Sequence, residues 1–251
     1  MNMDMLLIDA GNTRIKWAIA RDGALARHGH SAHRGRALDE ALRPIAELDG
    51  QPSRVIASNV GGETLAAKLR EVVERRFGVT LEIAKVQREA FGLRIAYEHP
   101  SHLGSDRWLA MIGARESHAG ALLVVCAGTA LTIDAIDAHG GHYGGLIVPG
   151  IETMKTSLLS GTAGIRDAGD MPNVPEIFAD DTGPAVSGGA THALAALVER
   201  AAGELAKRAG AAARLVVTGG DAARIVPLIG LPANVEPDLV LRGLVVYARE
   251  R

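Results

Sequence analysis

The chain has 251 residues, room for one large domain or for two of about 120 residues each. Apolar residues make up 47% and aromatic residues only 3%, so the core is built mainly from Ala, Val, Leu and Ile. The 27 basic and 29 acidic side chains nearly cancel and no basic stripe interleaves with aromatics, which argues against a nucleic-acid partner. One cysteine, Cys126, rules out an internal disulfide framework. Asp4 and Asp9 interrupt the apolar start, and no uninterrupted apolar run approaches the length of a membrane span. The expectation is a cytoplasmic protein without a membrane partner.

In chain order, Met5–Asp9 reads as a buried strand ending at a Gly-containing turn. Thr13–Ala20 alternates, with Ile15, Trp17 and Ile19 on one face and Lys16, Ala18 and Ala20 on the other, and Lys16 lies a few residues beyond Asp9 on the returning strand. Arg36–Leu48 has helical spacing, although Pro44 predicts a kink or an early end. Arg54–Ala57 is a strand, Glu63–Phe77 a strong amphipathic helix, and Val79–Ala84 another strand. Tyr97–Leu103 reads as a loop. Ser105 then caps a helix running to Ser117, which puts Asp106 and Arg107 in its first turn. His99 and His102 sit three apart in that loop without a third ligand and read as solvated.

Beyond Gly120, Leu123–Ala127 and Ala130–Ile136 form a second hairpin, extended by His142–Val148. Ile151–Leu159 is a helix, Thr162–Gly188 a long ordered loop with short helical pieces, and Gly189–Arg208 an Ala-rich helix. Arg214–Val217 is a strand, Thr218-Gly219-Gly220-Asp221 a turn, and Asp238–Ala248 a last helix.

Two of these stretches resemble each other. Slid forward by 117 positions, Ala10, Gly11, Ala18, Ile19 and Gly23 meet Ala127, Gly128, Ala135, Ile136 and Gly140. Each copy is strand, small Gly turn, strand, Gly turn, the pattern of a hairpin whose first turn can approach a ligand closely. Two such copies predict two similar α/β domains, over 1–118 and 119–251, facing each other across a phosphate chain. Asp9 is either a turn-capping carboxylate or a metal ligand. The Asp9-Ala10-Gly11-Asn12-Thr13 cluster offers a carboxylate, a close-approach glycine, small polar side chains and backbone N–H groups together.

No Walker A or dinucleotide fingerprint occurs in these turns. The repeated hairpin instead looks like that of the acetate kinase, sugar kinase, Hsp70 and actin superfamily. That resemblance implies two ribonuclease H-like domains with the active site in the cleft between them, and a third turn, Thr218–Asp221, for adenosine. Asp9-x-Gly11-Asn12-Thr13 with Lys16, Gly104-Ser105-Asp106-Arg107, Gly128-Thr129-Ala130-Leu131-Thr132-Ile133-Asp134 and Gly144-Gly145-Leu146-Ile147-Val148-Pro149-Gly150 together resemble the type III pantothenate kinases.

The family resemblance implies ATP-dependent phosphorylation of pantothenate, the first step towards coenzyme A, by a homodimer that uses Mg²⁺ and a monovalent cation (K⁺ or NH₄⁺). It implies Asp106 as the base and Tyr97, Gly104, Ser105 and Arg107 around pantothenate. Thr182 would be contributed by the partner protomer. Asp9 would hold Mg²⁺, and Ala10, Gly11, Asn12, Thr13, Arg14, Lys16, Gly128 and Thr129 would hold ATP. Cys126 stands where many members carry Asp. Two other readings stay open here: a superfamily kinase for a sugar or carboxylate, and a non-catalytic regulatory relative. The short chain argues against the first, and the intact Asp9, Lys16, Asp106 and Arg107 against the second.

Overall fold

Both repeats fold as the inner hairpin of a five-stranded sheet. The computed structural model describes residues 2–162 and 175–250. The chain divides into two compact units, Met1–Ser117 with Asp238–Arg251, and His118–Pro237.

In the first unit β1 (Asn2–Ala10) pairs antiparallel with β2 (Arg14–Arg21), and β2 with β3 (Ala24–Ala32). Asp22 and Gly23 join β2 to β3 with φ of 49° and 74°, the left-handed pair that a two-residue hairpin turn requires. Helix α1 (Leu38–Ala46) ends two residues after Pro44, and β4 (Gln51–Asn59), α2 (Glu63–Phe77) and β5 (Leu81–Ile83) follow. β4 runs parallel to β1 and β5 parallel to β4, giving the order β3-β2-β1-β4-β5. A small hairpin, β6 (Glu89–Ala90) with β7 (Leu93–Arg94), and a single 3₁₀ turn lead into α3 (Ser105–Ser117).

The second unit repeats the plan. β8 (Leu122–Ala127), β9 (Ala130–Ile136) and β10 (His142–Pro149) form an antiparallel meander. Helices α4 (Ile151–Gly161) and α5 (Thr182–Ala209) precede β11 (Arg214–Thr218), the short α6 (Ala222–Ile225) and β12 (Ala233–Val235). The order β10-β9-β8-β11-β12 and the pairing senses match the first sheet strand for strand. Helix α7 (Leu239–Arg249) then closes the chain.

The register refines the repeat. Ala10 pairs with Ile15 in the first hairpin, but Ala127 pairs with Leu131 in the second, whose turn is one residue shorter. The 117-residue slide therefore holds along the first strand and becomes 116 on the returning strand. Ile19 is equivalent to Ala135, and not to Ile136 as the sequence match suggests.

One face of the first sheet, with Leu6, Ile8, Ile15, Trp17 and Ile19, packs on α1 and α2 through Leu42, Ile45, Leu69 and Val73. The other face carries α3 and α7. These two helices cross with their backbones in contact. A Cβ at Gly113 would lie 2.4 Å from the Leu239 carbonyl oxygen, and one at Gly243 would lie 2.0 Å from that of Leu109. Trp108 meets Phe91 and Tyr247 edge-on beside the crossing, and Phe91 lies tilted against Tyr247. That packing corrects the expected boundary: Asp238–Arg251 falls in the first unit, not in a second domain running to residue 251. In the second unit α5 covers Leu123, Val125, Leu131 and Ile133 with Leu194, Val198 and Leu205.

Several elements differ from expectation. β3, β6, β7 and β12 are strands the sequence does not announce. α5 begins at Thr182 and not at Gly189, with the Asp181 carboxylate accepting from the Thr182 N–H. The part of the expected long loop over residues 163–174 lies outside the described residues.

Candidate active site

The first turn closes tightly because Gly11 donates its N–H to the Arg14 carbonyl at 3.1 Å. Register sets Asp9, the penultimate residue of β1, between two neighbours, opposite Lys16 on β2 and Ser58 on β4. Ser58 is fully buried, and its hydroxyl shares a 2.9 Å hydrogen bond with the buried hydroxyl of Ser105. That bond docks the start of α3 on the end of β4, one strand away from Asp9. Ser105 is thus the first helical residue with its side chain turned to Ser58, and does not serve as the expected cap. The Trp108 N–H instead reaches the Gly104 carbonyl at 3.1 Å.

Asp106 follows in the first helical turn, where a carboxylate meets the positive end of the helix dipole. Its Oδ1 accepts the Arg107 backbone N–H at 2.8 Å. A Cβ on Gly104 would come within 2.6 Å of that oxygen, so the residue before the helix must be glycine for the carboxylate to sit there. Arg107 is 4% exposed, and its guanidinium donates to the Tyr97 hydroxyl at 3.1 Å and lies 5.8 Å from the Tyr97 ring centre.

The electrostatics converge on Asp9. Burial pushes its carboxyl up to about 7, the Asp106 charge pushes the same way, and Lys16 partly offsets both. Its Oδ1 is sealed from solvent and accepts no hydrogen bond. A buried carboxylate oxygen without a donor, beside a second carboxylate, is where a cation would be stabilised. Among the described residues no three His, Cys, Asp or Glu side chains converge on a metal position. Mg²⁺ commonly takes one or two protein carboxylates and fills its shell with water and substrate phosphate oxygens, so the donor set fits that ion bound with a nucleotide.

The second unit supplies an analogous turn. Gly128 donates to the Ala130 carbonyl at 3.1 Å, and the Thr129 carbonyl accepts from the Gly150 N–H at 2.9 Å and the Thr153 hydroxyl at 2.7 Å. Gly219, at φ of 104°, passes so close to this hairpin that a Cβ there would lie 2.0 Å from the Ala127 carbonyl oxygen. Glycine alone fits both that conformation and that contact. Cys126 stands at the place equivalent to Asp9 and is half-buried. Thr182 opens α5 with an exposed side chain.

The first unit therefore brings together Asp9, Lys16, Tyr97, Gly104, Ser105, Asp106 and Arg107 beside the Gly11–Arg14 turn. Gly128, Thr129 and Thr182 belong to the second unit. Sequence reasoning missed Ser58, since only the β1–β4 register reveals a buried serine beside Asp9.

A duplicated sheet of this order, with a Gly turn in each hairpin, is the fold of the acetate kinase, sugar kinase, Hsp70 and actin proteins. Solved structures share the fold over nearly the whole chain. The activator of the 2-hydroxyisocaproyl-CoA dehydratase from Clostridium difficile with bound ADPNP matches with a TM-score of 0.53 and 12% identity, covering 99% of this chain and 95% of that one. Ethanolamine utilization protein EutJ from Carboxydothermus hydrogenoformans matches with a TM-score of 0.55 and 14% identity, covering 96% and 89%.

Among proteins of that fold, the chain belongs to the type III pantothenate kinase family, whose family model matches residues 5–204. A type III pantothenate kinase from Aromatoleum aromaticum is 39% identical, covering 98% of both chains. One from Nitrosococcus oceani is 34% identical, covering 98% of this chain and 94% of that protein. No helix among the described residues is long and apolar enough to cross a membrane.

Proposed function

We propose that this chain transfers the γ-phosphoryl group of ATP to the terminal hydroxyl of pantothenate, giving 4'-phosphopantothenate. The observation that carries the reading is the Asp106–Arg107 helix start beside Asp9, in a chain of this family. Phosphoryl transfer asks mainly for positioning and charge stabilisation. Asp106 accepts the hydroxyl proton as the new P–O bond forms. Its ionised state suffices because a loose transition state releases that proton late. Arg107, oriented by Tyr97, and Lys16 stabilise charge on the moving phosphoryl group. Asn12, Thr13 and the backbone N–H groups of the Gly11–Arg14 and Gly128–Thr129 turns hold phosphate oxygens. Asp9 would hold Mg²⁺, which supplies neutralisation of the β- and γ-phosphate charge when bound. Thr218–Asp221 would take the adenosine.

The working species is a homodimer, with Thr182 lent to the partner's pantothenate site. Support comes from the edge strand β10, whose Tyr143, Leu146 and Ile147 are 41%, 43% and 61% exposed, and from Phe178 at 85%. Such a run of apolar side chains on an unpaired edge is a surface that association covers. A monovalent cation, K⁺ or NH₄⁺, completes the cofactor set.

The test is an ATP-dependent assay with pantothenate against a panel of sugars and short carboxylates, with and without K⁺. Phosphorylation of pantothenate alone supports the reading. Turnover of a sugar in preference to pantothenate, or no turnover of any acceptor by the dimer, refutes it.

A further inference from the structure

We infer that His33 is a positioning residue for the first phosphate-binding turn, acting through the turn's carbonyl groups and touching no substrate itself; the inference rests on the reading above that this turn holds ATP. His33 directly follows β3 and is half-buried. Its ring Nε2 lies 2.8 Å from the Gly11 carbonyl oxygen, and its backbone N–H donates to the Thr13 carbonyl at 3.0 Å. A carbonyl oxygen only accepts, so Nε2 carries the proton.

One residue thus holds two alternate carbonyls of a four-residue turn. In a trans peptide plane the C=O and the following N–H point in opposite directions. Fixing the Gly11 carbonyl towards His33 aims the Asn12 N–H away from it. Fixing the Thr13 carbonyl does the same for the Arg14 N–H. Two backbone donors are thereby turned to one side of the turn, the concave arrangement that receives an anion. Without the ring contact the Gly11–Asn12 peptide, next to a glycine, is free to flip and present its carbonyl to the phosphate instead.

The second unit carries the backbone half of this device, and its side-chain donor falls on the same carbonyl as the backbone one. Pro149 pairs with Ala130 as Ala32 pairs with Arg14, so Gly150 occupies the place of His33. The Gly150 N–H holds the Thr129 carbonyl just as the His33 N–H holds that of Thr13. The side-chain contribution there comes from Thr153, whose hydroxyl donates to the Thr129 carbonyl. The backbone clamp is thus common to both copies, and each adds its own side-chain donor.

The experiment compares His33→Phe, which keeps a ring and loses the donor, with His33→Gln, which keeps an N–H donor, and with Thr153→Val. Binding of a non-hydrolysable ATP analogue with Mg²⁺ is measured by calorimetry, together with KM for ATP and for pantothenate and the thermal midpoint. His33→Phe should weaken nucleotide binding about tenfold or more, the scale of losing an outer-shell orienting contact. KM for pantothenate and the thermal midpoint should stay near wild type, and His33→Gln should recover most of the loss. Thr153→Val should weaken nucleotide binding in the same sense, which tests the device even if His33→Phe does not fold. Unchanged nucleotide affinity in both His33→Phe and Thr153→Val overturns the inference, as does a loss that His33→Gln does not relieve. A wild-type chain that binds no nucleotide would instead sink the assignment of the turn, and the inference with it.

Discussion

Replacing Asp9 by Asn should stabilise the metal-free protein while destroying its activity. The folded-state carboxyl sits near 7 against an ordinary value of 3.8. The folded chain therefore binds more protons than the unfolded chain between those values, and stability falls as pH rises through that window. Above about pH 7 the penalty is complete. At ~1.4 kcal/mol per unit its ceiling is on the order of 4 kcal/mol. Asp9 taken as a whole residue is half-buried, and screening by solvent lowers the expected gain to about 2 kcal/mol. Asn keeps the shape and cannot ionise.

Urea unfolding in EDTA should place Asp9→Asn about 2 kcal/mol above wild type at pH 8 and nearly level with it at about pH 3, below the ordinary carboxyl value, where Asp9 is mostly protonated folded and unfolded alike. Adding Mg²⁺ and ATP should raise the thermal midpoint of wild type and leave that of Asp9→Asn nearly unmoved. Activity of the variant should fall about 10²-fold or more, the scale of losing one charge-stabilising group. A variant less stable than wild type at pH 8, or a difference independent of pH, would refute the account of Asp9 as a costly buried charge awaiting a cation.

Asp106→Asn should lower turnover about 10²–10⁴-fold with fold and ATP binding intact. It should also bring the Asp9 carboxyl down, since Asp106 is one of the causes that raise it; an NMR or pH-titration midpoint for Asp9 that does not fall contradicts the proximity. Cys126→Ser should retain near-normal activity and Cys126→Asp should tighten Mg²⁺ dependence; a dead Cys126→Ser places the metal elsewhere. Sedimentation at assay concentration should find a dimer, and a fully active monomer removes Thr182 from the site. Gly243→Val should destabilise the first unit by about 3 kcal/mol or more through collision with the Leu109 carbonyl, read from its denaturation midpoint.

Much of the first unit could be read from local pattern. The alternation of Ile15, Trp17 and Ile19 and the return of the chain through Lys16 follow from strand periodicity and a short turn, and the register adds that Lys16 pairs directly with Asp9. β3 escaped because it is an edge strand, mostly exposed, whose Arg27, His28, His30 and Ser31 carry no apolar rhythm. The start of α5 escaped because Gly183, Pro184, Gly188 and Gly189 look like loop residues. A proline in the first helical turn costs no hydrogen bond, and the Asp181 cap supplies the start. Ser58 and His33 are single polar residues whose roles arise from partners 47 and 22 positions away. No local signal marks them. The same holds for α7, whose helix is evident from its spacing but whose packing depends on the Gly113 and Gly243 crossing.

That crossing has a consequence for the order of synthesis. The second unit is one unbroken stretch, His118–Pro237, and has all its strands once Pro237 has been made. The first unit begins earlier and finishes later, because the helix that covers Leu109 and Trp108 is translated only after that stretch. Until Leu239–Arg249 emerges, that apolar face stays open on the nascent chain. A nonsense codon shortly before Leu239 would therefore not trim a tail from the protein. It would leave a finished insert attached to a first unit that cannot close.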